Sequence, residues 1–383
     1  MVRDIIKRFV FHIIYPCCYA LGALRPVKQG KAVFVETHGT GLSDNFTLLF
    51  DELKKRGYDI HTHYLKISDS GWGSIIRRSV KLLFDIGNAG VILIDESNSL
   101  FGSFRLRQGT RLIQLWHACG AFKKWGFSVA DKSFGDDADA LQRYSGHRNY
   151  SLVTVSGSEV CKAYEEAFGL DKGSGIVRPI GVSRTDVFFD PEAKKAAAQK
   201  LEKIFPKTSG KKTVVYLPTF RGSIAKAKGP DGFDPEKLLP FEEEYVFLIK
   251  NHPFVKEPVN IPALCRSFVH QVRGELSVEE LLMTADVLIT DYSSVVFEFA
   301  LMDKPMIFFA YDYDSYDMER GFYYPYKEFV PGPIAYSMDE LTDSLKAVSG
   351  YDRKRLAAFR ERFMGGCDGG ATRRIVEYIE GKS

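Results

Sequence analysis

Two histidines follow predicted β-strands, where an imidazole could take part in group transfer. His117 ends the run RLIQLWH, and Lys123 and Lys124 follow it in a loop bounded by glycines. His252 follows the hydrophobic run YVFLIK in the segment KNHPF. An imidazole titrates near about pH 6.5, so His117 could accept a proton from an attacking hydroxyl at neutral pH. We predict that His117 is the general base on the acceptor side of a site, with both lysines beside it; a structural histidine is the alternative.

Hydroxyl and basic side chains also follow strands. Thr219 and Arg221 come after VVYLP in the segment LPTFRG, and Lys250 stands two positions before His252. Arginine binds phosphate through two parallel hydrogen bonds, and histidine can donate to a phosphoryl oxygen as a phosphate leaves. Parallel sheets bind ligands beyond the carboxyl ends of their strands. We therefore predict a phosphate pocket in which His252 is a second catalytic residue. The alternative is that these four residues are ordinary solvated side chains.

The segment ADVLITDYSSVVFEFALMDKPMIFF predicts a strand, a polar turn, a helix and another strand. Asp291 lies in the turn, and Ser293 and Ser294 stand where their hydroxyls would cap the helix. A helix N-terminus has free N–H groups and partial positive charge, which suits a diphosphate; plain capping is the alternative. Glu298 lies in a largely apolar helix, so we predict that it accepts hydrogen bonds from ribose hydroxyls, unless it is simply solvated.

These segments must be positioned by an alternation of strands and helices. Short β-rich runs alternate with helical ones from residue 32 to about residue 182, and the rhythm restarts at TVVYLP after a helix predicted from Pro191 to Ile204. Such alternation is typical of parallel, doubly wound sheets. His38 and Asn45 follow the first strand, AVFVET, and are assigned to the acceptor side.

The domain prediction follows from this rhythm. We expect an α/β protein of the GT-B class: two doubly wound Rossmann-like domains facing a central cleft, with an N-terminal amphipathic helix. Residues 28–188 form the acceptor-side domain and residues 189–383 the donor-binding domain. A final helix from about residue 351 to 363 is predicted to cross back.

The first 27 residues are predicted to form a membrane-surface helix. Val2, Ile5, Ile6, Phe9 and Ile13 recur at helical spacing, with charged residues on the other side. Pro16 is expected to end this helix, and the apolar run from Ile13 to Leu24 is too short to span a bilayer, which needs about 20 residues. No typical cleavage site supports a signal peptide. A helix packed on the protein body is the alternative.

Composition excludes several classes of protein. The chain has 383 residues, 45% hydrophobic and 26% charged, which is ordinary for folded domains and argues against a disordered or fibrous chain. A net charge of +3 gives no indication of nucleic-acid binding. The six cysteines lack CxxC spacing, so neither a zinc site nor a disulfide framework is indicated, and a reducing cytoplasm fits best. No DxD-like acidic pair follows a strand in the site segments, and we predict no metal and no cofactor.

The motifs together resemble the CDP-glycerol glycerophosphotransferase family, the primases and polymerases of teichoic-acid synthesis. Six segments carry the likeness in order: WHACGAFKKWG, YLPTFRG, KNHP, DVLITDYSSVVFEFAL, KPMIFF and ERGFYYPYKEFVPGPI. ETHGTGLSDN resembles the N-terminal motif of the family, so the likeness covers roughly residues 32 to 340.

The resemblance implies a GT-B fold, a base at His117 and a diphosphate site that includes His252, Ser293 and Ser294. It also implies that Arg320, in ERGF, lies near the donor phosphates. The family usually has glycine after its tryptophan–histidine pair, whereas this chain has Ala118, which bears on the shape of the acceptor loop.

The predicted reaction is transfer of glycerol phosphate from CDP-glycerol to a polyprenyl-diphosphate-linked teichoic-acid precursor, with release of CMP. The predicted location is the cytoplasmic face of the membrane, bound peripherally to anionic lipid. Alternatives are a CDP-ribitol-dependent ribitol-phosphate transferase and a UDP-sugar glycosyltransferase or epimerase of the same fold. A non-enzymatic scaffold would have lost its pocket residues, and these are present.

Overall fold

The computed structural model divides the protein into two compact units. It describes residues 2–37, 39–66, 71–130, 137–223 and 226–382, without the side chains of residues 2–4, 72 and 317–320. Unit 1 comprises Met1–Ala118, Trp125–Asp186 and Gly365–Ser383, and unit 2 comprises Cys119–Lys124 and Val187–Met364.

Unit 1 is built on a parallel sheet that has six strands within the described residues. The strands are β1 (Lys28–Glu36), β2 (Asp59–Tyr64), β3 (Ala89–Ile94), β4 (Arg111–Gln114), β5 (Leu152–Thr154) and β6 (Val177–Arg178). Their order is β2-β1-β3-β4-β5-β6, with parallel neighbours throughout. The order reverses between β1 and β3, so the loops after these two strands flank a topological switch point.

Unit 2 holds a second parallel sheet, also of six strands in the part of the chain that the structure describes. The strands are β7 (Lys212–Leu217), β8 (Tyr245–Ile249), β9 (Val269–Gln271), β10 (Val287–Thr290), β11 (Met306–Phe309) and β12 (Ile334–Ala335). Their order is β12-β11-β10-β7-β8-β9, and all neighbours are parallel. Here the switch point lies between β7 and β10.

Helices connect the strands and cover the sheets. They are α1 (Val2–Phe9), α2 (Tyr15–Ala23), α3 (Asp44–Lys55), α4 (Trp72–Ile86), α5 (Ala138–Arg143), α6 (Cys161–Phe168), α7 (Pro191–Ile204), α8 (Val278–Thr284), α9 (Val295–Ala300), α10 (Tyr313–Arg320), α11 (Tyr326–Phe329), α12 (Met338–Lys346), α13 (Arg353–Met364) and α14 (Ala371–Ile379). The start of α7 has a clear local cause: Asp190 accepts a hydrogen bond from the backbone N–H of Glu192, and Pro191 occupies the first helical position.

The inner strands of each sheet are buried on both faces, which explains why they read as continuous hydrophobic runs. All six residues of β3 are buried, as are all five of β8. In unit 1, Phe34, Leu93 and Ile113 belong to one hydrophobic cluster with Ile375 and Val376 of α14. The predicted α/β class with two doubly wound sheets is confirmed.

The N-terminal helix continues past Pro16. A π-helical turn, Val10–Ile14, joins α1 to α2, and the helix continues to Ala23. The prediction that Pro16 ends it was wrong. Proline lies in the first turn of α2, where it is well tolerated, and the preceding backbone N–H of Tyr15 has already shifted to the carbonyl of Val10.

The segment Ile5–Ala23 is long and apolar enough to cross a membrane by length and composition alone. Its C-terminal half nevertheless packs on α4 in unit 1. Tyr15 and Tyr19 are buried, and a Cβ on Gly22 would lie 2.5 Å from the carbonyl oxygen of Phe84, so the two helices approach closely only because glycine stands here.

The unit boundaries differ from those of the predicted domains. Residues 119–124 and 187–188 belong to unit 2, although they were predicted within the acceptor-side domain, whereas residues 1–27 and 365–383 belong to unit 1. The helix predicted from about residue 351 is α13, in unit 2, whereas α14 packs against α3 of unit 1.

Candidate functional site

In unit 1, polar side chains link the loops on both sides of the switch point. Asp95 follows β3 and is buried. One of its carboxylate oxygens, Oδ2, accepts hydrogen bonds from Ser43 Oγ at 2.8 Å and Asn45 Nδ2 at 2.9 Å. Burial raises the pKa of Asp95 despite these two donors. Asn45, predicted as an acceptor-side residue, therefore helps to hold the loops that follow β1 and β3. His38 lies outside the described residues.

His117 lies beside these loops, where β4 ends. Trp116 has a φ of +57°, unusual for a bulky residue, and its backbone N–H donates to Gln114 Oε1 at 2.9 Å. This local turn leaves the His117 side chain 42% exposed, with Nδ1 at 2.9 Å from Glu96 Oε1. The carboxylate favours the tautomer with the proton on Nδ1, so Nε2 keeps a lone pair. This is the arrangement that a general base requires.

Sequence reasoning missed Asp95 and Glu96. Both end the run VILIDE, directly after β3, and the rule that drew attention to His117 applies equally to them. Their position after a strand was therefore visible in the sequence. A DxD pair has one residue between its acids, whereas Asp95 and Glu96 are adjacent, so that pattern does not include them. Among the described residues, no group of three or more histidines, cysteines and acids is arranged to hold a metal ion.

In unit 2, three predicted residues meet at the switch point between β7 and β10. Thr219 donates from its backbone N–H and its hydroxyl to Asp291, which is fully buried. Arg221 lies 3.0 Å from Asp291 Oδ2 and donates to Asp312 Oδ1 at 3.0 Å. Burial lowers the pKa of Arg221, but the two carboxylates outweigh it and raise the pKa well above its usual value.

This ion-pair network changes the interpretation of Arg221. Nη2 makes the contacts with the two carboxylates, and Nη1 donates to the carbonyl and hydroxyl oxygens of Thr219. Both terminal nitrogens of the guanidinium are therefore hydrogen-bonded within the protein. Tyr292 also donates to Asp312 Oδ1, at 2.9 Å. Arg221 and Asp291 therefore hold the two loops together, and their predicted role in donor binding stays a prediction. Asp312, which follows β11, was missed because no motif singled it out.

Lys250 joins two loops of unit 2. Its ammonium donates to the backbone carbonyls of Arg273 and Leu276, the latter at 2.9 Å. Burial lowers the pKa of Lys250. The side chain thus ties the end of β8 to the loop before α8, and its predicted role in donor binding stays a prediction.

His252 has the environment expected of a neutral hydrogen-bond donor. Its ring packs against Phe220 and Phe254, with centroids 4.9 Å and 4.6 Å away. The backbone N–H of Phe254 donates to Nδ1 at 3.3 Å, so the neutral ring carries its proton on Nε2. Burial lowers the pKa of His252, and the positive charge of Lys123 lowers it further. A neutral imidazole with a proton on Nε2 can donate to a phosphate oxygen.

Lys123 and Lys124 lie with unit 2, although they were predicted within the acceptor-side domain, and their role toward the acceptor stays a prediction. Lys123 pairs with Phe322 in an antiparallel bridge, and the Lys124 backbone N–H donates to the carbonyl of Gly321 at 3.2 Å. Gly120 directs the chain here with a φ of +64°, and a Cβ on it would lie 2.2 Å from the ring of Phe297. This position therefore requires glycine, whereas position 118 accepts alanine.

The serine turn is only partly as predicted. The Ser293 hydroxyl accepts from the Val295 N–H at 3.4 Å, but Ser294, at the N-cap position, makes no side-chain cap of α9. Its helical φ and ψ of −69° and −9° explain this, since capping side chains normally extend from the β region. Glu298 is buried, 5% exposed. Arg320 ends α10, and its side chain lies outside the described part of the structure.

The chain is similar to known proteins over nearly its whole length. The family model described as CDP-Glycerol:Poly(glycerophosphate) glycerophosphotransferase matches residues 17–381. The chain belongs to this family. The predicted family is thereby confirmed, and the protein is a member of the teichoic-acid phosphotransferases.

Relatives in this family differ in length and in the polyol that their names give. A teichoic acid ribitol-phosphate primase of Bacillus spizizenii is 32% identical over 99% of this chain and 98% of its own. A teichoic acid poly(ribitol-phosphate) polymerase of the same organism is 35% identical over 96% of this chain, which spans only 58% of that polymerase. A teichoic acid glycerol-phosphate primase of Bacillus subtilis is 30% identical over 79% of this chain and 76% of its own.

A solved structure supports the fold. The wall teichoic acid polymerase TagF is similar with a TM-score of 0.78, over 99% of this chain and 95% of that one, at 23% identity. The GT-B fold class predicted from the sequence is confirmed by this likeness.

Proposed function

We propose that the protein transfers a polyol phosphate from a CDP-linked donor to a lipid-linked teichoic-acid precursor and releases CMP. The observation that carries the proposal is the His117–Glu96 pair, in a chain that a teichoic-acid phosphotransferase family model matches from residue 17 to 381. A histidine whose Nδ1 is held by a carboxylate supplies the base that a hydroxyl acceptor needs.

In the proposed reaction, Nε2 of His117 takes the proton of an acceptor hydroxyl as its oxygen attacks the phosphorus that bears the polyol. The new P–O bond forms while the bond from that phosphorus to the oxygen of CMP breaks. A phosphodiester and CMP result. Alignment and charge stabilisation supply most of the rate in phosphoryl transfer, so the donor-binding groups matter as much as the base.

The proposed donor-binding groups belong to unit 2. His252 offers its Nε2 proton to a phosphate oxygen, Lys123 lies close enough to lower the pKa of His252, and Ser293 and Ser294 stand half-buried at the turn after β10. Glu298 and Arg320 keep the donor-binding roles predicted for them. In this proposal Arg221, Asp291 and Lys250 act by holding the loops in place.

The identity of the polyol is the finer part of the proposal. The motifs predict CDP-glycerol, and a TagF structure was obtained with CDPG. Ribitol is favoured by identity, since four ribitol-phosphate enzymes share 32% to 36% with this chain against 30% or less for three glycerol-phosphate primases and transferases. We therefore propose CDP-ribitol as the second candidate donor, to be tested beside CDP-glycerol.

A membrane location fits an acceptor that carries a polyprenyl diphosphate. Ile5, Phe9, Ile13 and Leu21 on the N-terminal helix are each at least half exposed. An exposed apolar face with nearby basic side chains supports peripheral binding to anionic lipid. We propose that this face rests on the cytoplasmic leaflet.

The test is direct. The purified protein is incubated with a lipid-linked saccharide acceptor and with CDP-glycerol, CDP-ribitol or a UDP-sugar, and the released nucleotide is identified by chromatography. We expect CMP with one of the CDP-polyols, and we expect His117→Asn to abolish turnover while it still binds the donor. Release of UMP or UDP, or wild-type turnover in His117→Asn, would refute the proposal.

A further inference from the structure

A groove of about 390 Å³ lies between the first half of the N-terminal helix and α4, within unit 1. We call it the helix groove. Its walls are mostly apolar: Val10, Phe11, Leu65, Ile75, Ile76 and Leu100. Few polar groups reach it, among them Lys7 and Ser79. Its size and lining are those of a site for an apolar ligand.

The loop after β3, which contains the partner of the candidate base, also lines the helix groove. Asn98 and Leu100 line the groove, and they follow Glu96, the partner of His117, in the same loop after β3. This loop is fixed, because the Gln114 side chain donates to the Glu96 carbonyl oxygen at 3.1 Å. Asn98 is two residues from Glu96, so this part of the groove wall lies within about 8 Å of Glu96 between Cα atoms.

The helix itself is tied to the same region. Phe11 packs on Tyr144 with ring centroids 5.3 Å apart, and the Lys7 ammonium lies 3.9 Å from the centroid of the Tyr144 ring. Three residues after Tyr144, His147 stacks on Phe168, and Phe168 in turn packs against Trp116. The groove lining thus includes a cation, which complements an anionic headgroup.

The groove also borders the exposed apolar face of the helix. Ile6 lines the groove and is 51% exposed, and Ile5 and Phe9 are 60% and 51% exposed. The exposed apolar surface of the helix therefore continues into the groove at Ile6.

We propose that the helix groove binds the part of the polyprenyl chain next to the diphosphate of the acceptor, with Lys7 facing the diphosphate. This rests on the proposed function, because it takes the acceptor to be lipid-linked. The groove holds a segment of the chain, and the remainder stays in the bilayer. The groove thus selects a lipid-linked acceptor over a free saccharide and directs its head toward His117.

The test uses a variant that fills the groove. Ile75→Trp adds an indole to the wall from α4, and Phe84→Trp is the matched control, because Phe84 is on the same helix but outside the groove lining. Each full-length protein is titrated with farnesyl phosphate in vesicle-free buffer by calorimetry, with inorganic phosphate as the headgroup control. We expect wild type and Phe84→Trp to bind farnesyl phosphate at least about tenfold more tightly than Ile75→Trp does, and inorganic phosphate weakly in all three proteins.

Turnover gives the second readout. With CDP-polyol as donor, we expect Ile75→Trp to lose at least about tenfold in kcat/KM for a farnesyl-linked acceptor and to match wild type for a methyl-linked one. Equal farnesyl phosphate binding in wild type and Ile75→Trp would overturn the proposal. So would a parallel loss of binding to phosphatidylglycerol vesicles without isoprenoid, which would assign the groove to bilayer acyl chains.

Two precautions keep the outcome interpretable. Thermal unfolding checks each variant, and Ile76→Phe, a smaller change in the same wall, replaces Ile75→Trp if that variant does not fold. If no CDP-polyol is consumed with any acceptor, the proposed function fails, whereas the calorimetric titration still decides whether the groove binds an isoprenoid.

Discussion

Truncation of Glu96 should slow turnover without weakening donor binding. Its carboxylate lies 2.9 Å from Nδ1 of His117, an ordinary distance for a charge-assisted hydrogen bond. Such bonds contribute about 1.5–3 kcal/mol, and about 1.4 kcal/mol corresponds to a factor of ten in rate. The His117 and Glu96 side chains are 42% and 20% exposed, so solvent screening places the effect at the lower end. We expect Glu96→Ala to lower kcat about tenfold.

The assay is steady-state CMP release with saturating acceptor, with donor affinity measured separately by calorimetry. Glu96→Gln keeps the shape and an acceptor oxygen but loses the charge, so its kcat should lie between those of wild type and Glu96→Ala. Glu52→Ala is the control, since Glu52 is an exposed acid of unit 1 paired with Arg56. If Glu96→Ala keeps kcat within about twofold of wild type while His117→Asn is inactive, Glu96 does not orient the base.

Three further predictions concern unit 2. His252→Ala should weaken donor binding by about 10- to 100-fold, the value of one charged hydrogen bond, measured by titration with CDP-glycerol or CDP-ribitol. Lys123→Gln removes the positive charge that lowers the pKa of His252, so an NMR titration of that ring should show a higher pKa than in wild type. Arg221→Ala leaves the buried carboxylate of Asp291 without its cation and should cost about 3–5 kcal/mol in the free energy of unfolding, measured with denaturant.

The last two of these predictions have a matched control, and all three have a contradicting result. Lys304→Gln removes a cation of unit 2 paired with Asp286 and should leave the pKa of His252 unchanged. Lys346→Ala removes an exposed ion pair and should cost less than about 1 kcal/mol. Unchanged donor affinity in His252→Ala would mean that the diphosphate does not bind at His252. An unchanged pKa of His252 in Lys123→Gln would mean that the charge of Lys123 does not affect this ring. An Arg221→Ala variant that is as stable as wild type but has lost donor binding would mean that Arg221 contacts the ligand.

The sequence predicted the fold well because hydrophobic runs and their spacing determine where strands and helices form. The strands that it indicated, such as AVFVET and DVLIT, are β1 and β10. It failed where the outcome depended on contacts between distant segments. The two residues of β12 carry no pattern of their own, and Pro16 lies in a helix because a π-helical turn precedes it.

The positions of the candidate site residues were predictable from the sequence, whereas their side-chain partners were not. Thr219, Arg221 and Asp291 do meet at the switch point, as residues after β7 and β10 should. Their types suggested phosphate binding, yet Arg221 is engaged by two carboxylates, one of them Asp312, which is about ninety positions further along the chain. Which partner a cation takes depends on such three-dimensional neighbours, and a motif read locally cannot supply them.

Assigning residues 365–383 to unit 1 has a consequence for biosynthesis. Ile375, Val376 and Ile379 complete the hydrophobic cluster that contains Phe34. During translation, domains generally fold as units and N-terminal ones first. Here the first unit to leave the ribosome lacks part of its core until the last helix is made. All residues of unit 2 are therefore synthesised before unit 1 is complete. The apolar surface around Phe34 stays uncovered in the nascent chain until α14 has been synthesised, and during this time it is exposed to aggregation.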